Sequence, residues 1–164
     1  ITACYLLDHQ PEVEGAIISA PAIKAGDVSQ ATIFLGKLLS PLAPKAGVLA
    51  LDANHISRDP DVVAAYAHDP LVFHGKTPAR LAAEMMKAMQ RVDADVAQIT
   101  VPFIVLQGNE DKLVDPSGAR MLYERAGSKD KTLKIYEGLY HEVFNEPERD
   151  RVLKDVETWL AERI

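Results

Sequence analysis

The sequence is most informative at residues 101–116, which read VPFIVLQGNEDKLVDP. Its first half, 101–108, is a short apolar run bounded by turn residues, a pattern typical of a strand buried on both faces. Its second half, 109–116, is a polar loop with three carboxylates. Because functional groups of open parallel sheets gather beyond the carboxyl ends of strands, we expect this loop to belong to a functional site.

Two further strands are predicted on either side of this stretch. Residues 13–21 contain a second apolar run bounded by turn residues, so we also expect this strand to be buried on both faces. Residues 132–136 alternate more and suit a strand nearer the sheet edge. Helical patterns at 1–7, 117–126 and 148–163 separate or follow these strands. The alternation predicts an α/β fold, with a mostly parallel sheet and helices on its faces.

The middle of the chain, residues 25–98, does not continue this alternation of strands and helices. Apolar periodicity predicts helices at 29–39, 61–67 and 80–92, joined by proline-rich loops. This segment is too long for a simple crossover between two strands. We therefore predict a helical insertion over residues 25–98, and a core made of residues 1–24 and 99–164.

Composition excludes several classes of function. The chain has 164 residues, with 18 Lys and Arg against 24 Asp and Glu, a formal net charge of −6. This acidic balance argues against a nucleic-acid partner. No apolar run approaches the roughly 20 residues of a membrane span. The single cysteine excludes an internal disulfide. Since four of the histidines are scattered among loops without the spacing of a metal site, we expect no metal: His9, His55, His68 and His74.

The two post-strand loops hold candidate catalytic groups. The loop after the 101–107 strand offers Glu110, Asp111 and Asp115, although Asp115 precedes Pro116 at a predicted helix start and suits a capping role. His141 follows the next strand. An Asp followed by a His in this chain order matches the second half of the Ser-Asp-His arrangement on an α/β-hydrolase sheet. There the His takes the serine proton and the Asp fixes its tautomer.

On these stretches the chain resembles the monoacylglycerol lipase and lysophospholipase family of serine α/β-hydrolases. The resemblance covers essentially the whole chain. It is carried by residues 101–108 with Asp111, residues 130–138, Tyr140 with His141, residues 17–21, and Tyr66 followed by residues 69–71.

The resemblance implies the C-terminal part of an α/β-hydrolase fold, with residues 25–98 as its helical cap. It implies Asp111 as the triad acid and His141 as the general base. Tyr66 matches a cap tyrosine that helps to form the pocket for the glycerol head group. Four apolar cap residues could line the acyl channel, with cap-to-core packing as the alternative: Phe34, Leu38, Met85 and Met89.

The chain departs from the family pattern in two ways. Phe144 stands where animal members have a second histidine three positions after the catalytic one. No serine of the chain stands in a G-x-S-x-G elbow, and the usual His-Gly oxyanion motif is missing. Ser19 ends a strand, but Pro21 removes a donor from the required turn. We therefore expect the nucleophile to lie upstream of Ile1 and the chain to associate with its own N-terminal portion.

Three functions remain open from the sequence. The first is a serine ester hydrolase that releases fatty acid from monoacylglycerol or a similar lipid ester, without a cofactor. The second is a non-catalytic relative that binds an apolar ligand. The third is another α/β-hydrolase such as a haloalkane dehalogenase, whose carboxylate nucleophile would also lie upstream of Ile1. We expect a cytoplasmic protein that can contact membranes peripherally without a stable anchor.

Overall fold

A computed structural model describes residues 1–24 and 29–164. Its helices and strands follow one another along the chain as α1 Thr2–His9, β1 Ala16–Ser19, α2 Gln30–Leu42, β2 Gly47–Leu49, α3 Pro60–His68, β3 Thr77–Pro78, α4 Ala79–Asp95, β4 Phe103–Gly108, α5 Ser117–Arg125, β5 Lys131–Tyr136 and α6 Arg149–Ala161. Short 3-10 turns lie at Ala53–His55, Val96–Gln98 and Val143–Asn145. Every helix and strand predicted in the core from the sequence is present, with ends shifted by a few residues.

The main sheet is parallel, as predicted. Its strand order in the described residues is β1-β4-β5, so β4 is the central strand and β5 lies at an edge. Val105 of β4 pairs with Ile18 of β1 on one side and with Leu133 of β5 on the other. The carboxyl ends of β4 and β5 are level, because Gly108 pairs with Tyr136.

Strand β4 separates two apolar cores. Phe103 and Val105 pack into a cluster with side chains of α1, α5 and the end of α4. Ile104 and Leu106 point to the opposite face and pack against α6 and the segment that follows β5. All six residues of β4 are buried, which confirms the prediction of a strand covered on both faces.

The same prediction is wrong for β1. Only Ile18 of this strand is buried, and Ile17 is 39% exposed. The side chains of a strand alternate between faces, so Ile17 lies on the face opposite Ile18, and in the described residues that face is only partly covered.

The interval between β1 and β4 holds α2, α3 and α4, as the helical patterns predicted. The sequence missed a small antiparallel sheet in this interval, in which Gly47 of β2 pairs with Pro78 of β3. Strands of two or three residues are too short to show alternation, which explains the omission. The boundary placed at residue 25 lies outside the described residues, so the division into core and cap stays a prediction.

Helix α4 is tied to the core at its C-terminal half. Arg91 forms an ion pair with Asp8 of α1, and Arg125 of α5 binds Asp93 at 2.6 Å. Val92 is buried in the first core cluster. The N-terminal half of α4 extends away from these anchors, and its Leu81 and Met85 side chains are about half exposed.

The described residues hold neither a membrane-spanning helix nor a cluster of metal-binding side chains. Every helix in residues 1–24 and 29–164 is too short or too polar to cross a bilayer. Within the same ranges, no cluster of three or more His, Cys, Asp or Glu side chains could hold a metal ion.

Candidate active site

The loops after β4 and β5 are joined by backbone hydrogen bonds. The Asn109 N–H donates to the carbonyl oxygen of Tyr136 at 3.0 Å, and the Glu110 N–H donates to that of Leu139 at 3.1 Å. The Asn109 side chain accepts from the Gly138 N–H at 2.7 Å. These bonds fix the two loops against each other beyond the carboxyl ends of the strands.

Asp111 and His141 meet in this region. His141 Nδ1 lies 2.8 Å from Asp111 Oδ2. A carboxylate can only accept, so the proton of a neutral His141 ring is on Nδ1 and its Nε2 is left as an acceptor. That tautomer is the one a histidine needs in order to take a proton through Nε2.

The rest of the Asp111 carboxylate is fully satisfied. Oδ1 accepts from the Leu113 N–H at 2.8 Å and from the Val114 N–H at 3.1 Å. Oδ2 also accepts from Gln107 Nε2 at 2.9 Å. The Asp111 side chain is buried, whereas the His141 side chain is 28% exposed. The acid is therefore fixed inside the protein and the histidine reaches the surface of the site.

The pKa of Asp111 reflects two opposing effects. Burial alone would raise the pKa of this carboxyl group. The hydrogen bond from His141, the charge of its ring, and the bonds from Val114 and Gln107 outweigh burial and hold the pKa below its ordinary value. Asp111 is consequently ionised throughout the neutral range.

This lowered pKa predicts a loss of stability in acid. A carboxyl group whose pKa is lower in the folded state contributes stability that is complete above the unfolded pKa, about 3.9 for Asp, and is lost as the pH falls through the folded value. Urea unfolding between pH 2.5 and pH 6 should therefore show a steeper acid decline for the unaltered protein than for Asp111→Asn. Parallel curves for the two proteins would contradict this expectation.

The other two carboxylates of the loop have different surroundings. Glu110 is exposed. Asp115 accepts a hydrogen bond from the Ser117 N–H at 2.8 Å, at the first turn of α5. Asp115 therefore caps this helix, as its position before Pro116 predicted, and neither residue contacts His141 through a hydrogen bond in the described part of the chain.

A largely apolar cavity of about 600 Å³ opens beside His141. Leu113 and Val114 of the Asp111 loop contribute to its wall. Residues of the insertion form most of the remainder: Ile33, Val48, Leu49, Leu51, Tyr66, Phe73, His74, Leu81, Met85, Met86 and Met89. Unbranched methionine side chains allow such a wall to adapt to ligands of different shape.

Three of the five predicted substrate-binding residues lie on this cavity: Tyr66, Met85 and Met89. Phe34 and Leu38 are not among the described residues that line it. Both are exposed, at 69% and 51% respectively. Because α2 presents these two side chains to solvent here, a role for them in binding the substrate stays a prediction.

His74 is a further residue that lines the cavity. Its ring packs edge-on against the ring of Tyr66, with centroids 6.0 Å apart. His74 Nε2 lies 3.2 Å from the carbonyl oxygen of Asp69. No sequence spacing marked His74, since it reaches the cavity only through the loop that follows α3.

Comparison with known proteins identifies the family. The model of the Hydrolase_4 family, described as serine aminopeptidase, S33, matches residues 1–148. The chain belongs to the Hydrolase_4 family. Among curated relatives, it is 42% identical over 165 residues to a monoacylglycerol lipase of Mycolicibacterium smegmatis, covering all of this chain and 59% of that protein. It is 36% identical to a monoglyceride lipase of Rattus norvegicus, covering 92% of this chain and 51% of that protein.

The fold of this Hydrolase_4 chain is also that of solved lipases. The crystal structure of a Paleococcus ferrophilus monoacylglycerol lipase superposes with a TM-score of 0.90 at 29% identity, over 99% of this chain and 64% of that one. The α/β-hydrolase fold and the resemblance to monoacylglycerol lipases are thereby confirmed. The chain spans only 51–59% of the length of the two curated relatives.

Proposed function

We propose that the native polypeptide carrying this chain hydrolyses monoacylglycerols or similar lipid esters, with His141 as general base and Asp111 as its partner. The observation that carries the proposal is the 2.8 Å contact between His141 Nδ1 and Asp111 Oδ2 beside a largely apolar cavity. The similarity to lipases that act on this substrate class supports it.

The proposed reaction uses His141 twice. Nε2 of His141 takes the proton of a nucleophilic serine as that serine attacks the ester carbonyl, and returns it to the leaving alcohol. Nε2 then takes a proton from the water that attacks the acyl-enzyme, and returns it to the serine oxygen as the acyl–oxygen bond breaks and the fatty acid leaves. The Asp111 carboxylate stabilises the imidazolium that forms in both steps. The apolar cavity would hold the acyl chain, and Tyr66 would contact the head group.

The proposal needs a serine that this chain does not offer in a G-x-S-x-G elbow. We place that serine in an N-terminal portion of the same polypeptide, which would pack against β1. In the described residues β1 has no strand on its outer side, and the apolar side chain of Ile17 is partly exposed on one face of the strand. Burial of an exposed strand edge by a further strand would be favourable.

The test is made on the native polypeptide. We expect it to react with a fluorophosphonate probe and to release fatty acid from a monoacylglycerol, and we expect an active-site peptide map to place the label on a serine outside residues 1–164. Absence of labelling together with absence of ester hydrolysis would contradict the proposal.

A non-catalytic binding protein is the second candidate, because the cavity could hold an apolar ligand without any reaction. This alternative predicts binding of a fluorescent fatty acid with no fluorophosphonate labelling. Turnover of a haloalkane in place of an ester would instead indicate the third function left open by the sequence.

A further inference from the structure

A buried carboxylate near the candidate site has no part in the reaction described above. Glu146 lies just after β5 in the same connection that carries His141, and its side chain is completely buried. A buried carboxylate is costly unless its oxygens are hydrogen-bonded and its charge is paired. The partners of Glu146 therefore indicate what the residue holds in place.

Each oxygen of Glu146 has a defined partner. Oε1 accepts from the Tyr140 N–H at 2.9 Å and from the Arg58 N–H at 3.2 Å. Oε2 accepts from Arg58 Nε at 2.8 Å. The Arg58 guanidinium also pairs with Glu148, whose side chain is 47% exposed. Glu146 thus joins the backbone immediately before His141 to the segment that leads into α3.

The backbone immediately after His141 is joined to the same segment. The Glu142 N–H donates to the carbonyl oxygen of Ile56 at 2.8 Å. Ser57 Oγ donates to the carbonyl oxygen of Asn145 at 2.9 Å. The peptide N–H groups of both neighbours of His141 are therefore fixed, one by Glu146 and one by Ile56.

We propose that Glu146 is a positioning residue for His141: with Arg58, it holds the Tyr140–His141 backbone where the imidazole can bind Asp111 and transfer a proton. This inference rests on the proposed role of His141 as general base. Small displacements of a catalytic group lower the rate of reaction strongly, because proton transfer depends on the position of the donor and acceptor.

Glu146→Gln is the test variant. A carboxylate has two acceptor oxygens and an amide has only one, so glutamine cannot accept from both the backbone N–H groups and Arg58 Nε. Glu148→Gln is the matched control, because it removes the exposed partner of the same arginine by the same chemical change. It leaves the Tyr140 hydrogen bond intact.

We expect Glu146→Gln to lower kcat per folded molecule by about tenfold or more in the native polypeptide. KM should stay within about twofold of the unaltered value, because none of the contacts of Glu146 lines the cavity. Glu148→Gln should leave kcat unchanged. Near-UV circular dichroism gives the folded fraction. A lowered stability with unchanged kcat per folded molecule would overturn the proposal and leave Glu146 a purely structural residue.

Two further measurements test the positioning role of Glu146 if the first variant does not fold or is inactive. If Glu146→Gln does not fold, Arg58→Lys is the second test variant, because it removes the Nε donor and keeps the charge. A reduced kcat per folded molecule supports the proposal, and an unchanged kcat overturns it.

The NMR signal of the His141 Nδ1 proton, which is bound to Asp111, can be measured even in a variant that has no catalytic activity. We expect this signal to weaken in Glu146→Gln and persist in Glu148→Gln. An inactive unaltered polypeptide would contradict the proposed function, whereas an equal Nδ1 signal in all variants would contradict the positioning role.

Discussion

An Asp111→Asn variant of the native polypeptide is expected to lose about 10³–10⁴-fold in kcat for ester hydrolysis while remaining folded. The asparagine carbonyl can still accept from the Leu113 and Val114 N–H groups, which leaves its NH₂ group facing His141. A neutral His141 would then accept at Nδ1 and carry its proton on Nε2. In that tautomer the ring cannot take a proton from a nucleophile.

The fold should survive this substitution because Gln107 can adapt. In the present structure Gln107 Nε2 donates to Asp111, and the buried Gln107 Oε1 has no hydrogen-bond partner in the described residues. A flip of the Gln107 amide would present this oxygen to the new NH₂ group. The flip also moves Nε2 away from the Gly108 carbonyl oxygen, to which it donates at 3.1 Å, so the Gln107 amide exchanges one hydrogen bond for another and the variant should still fold.

Steady-state kinetics with a monoacylglycerol measure the effect, and Asp115→Asn is the matched control. It makes the same chemical change four residues later, at the cap of α5, and should cost only about 1 kcal/mol of stability or less with kcat unchanged. Comparable activity of Asp111→Asn and the unaltered polypeptide would contradict the role proposed for Asp111.

Gly108→Ala is expected to lower the free energy of unfolding by about 3 kcal/mol and to displace the candidate site. Gly108 ends β4, where the backbone of the His141 loop passes over it. A Cβ atom at this position would overlap the carbonyl oxygens of Leu139 and Tyr140. Since both obstacles are backbone atoms, they cannot move aside without shifting the residue next to His141.

Urea unfolding and ester hydrolysis measure both consequences of this change. Gly75→Ala is the control for stability, because the atoms nearest to the Cβ added there belong to the ring of Phe73, which is 71% exposed and can rotate away. We expect Gly75→Ala to change the free energy of unfolding by less than about 1 kcal/mol. Equal unfolding curves for the two variants would show that the loops relax around position 108 without cost.

The elements that the sequence predicted best are those whose pattern depends on local chemistry. The stripe of Val152, Val156 and Trp159 predicted α6, and these three residues are buried on one face of it. The apolar run of β4 predicted a strand buried on both faces, and Asp115 before Pro116 predicted a helix cap. Each of these sequence patterns lies within a few residues of the element that it predicts, so the prediction does not depend on the tertiary structure.

The elements that the sequence predicted poorly depend on distant parts of the chain. An apolar run in β1 looks the same whether one face or both faces are covered, and the two strands of the small sheet are too short for any periodicity. His74 reaches the cavity through a loop, and the burial of Glu146 depends on Arg58, which lies 88 residues earlier. Sequence spacing carries no signal for contacts of this kind.

By itself, the sequence determined the order of the helices and of the three strands of the main sheet, the α/β class and the family, together with the two loops in which Asp111 and His141 stand. The resemblance also implied Asp111 as the partner of the histidine, but only the tertiary structure gives the physical reason for that choice among the three carboxylates of the first loop. Glu110, Asp111 and Asp115 are equivalent as residue types, but only Asp111 is turned into the protein, where backbone N–H groups and Gln107 bind it and His141 donates to it. The choice follows from the parallel register of β4 and β5, which brings together two loops that lie 30 residues apart in the chain.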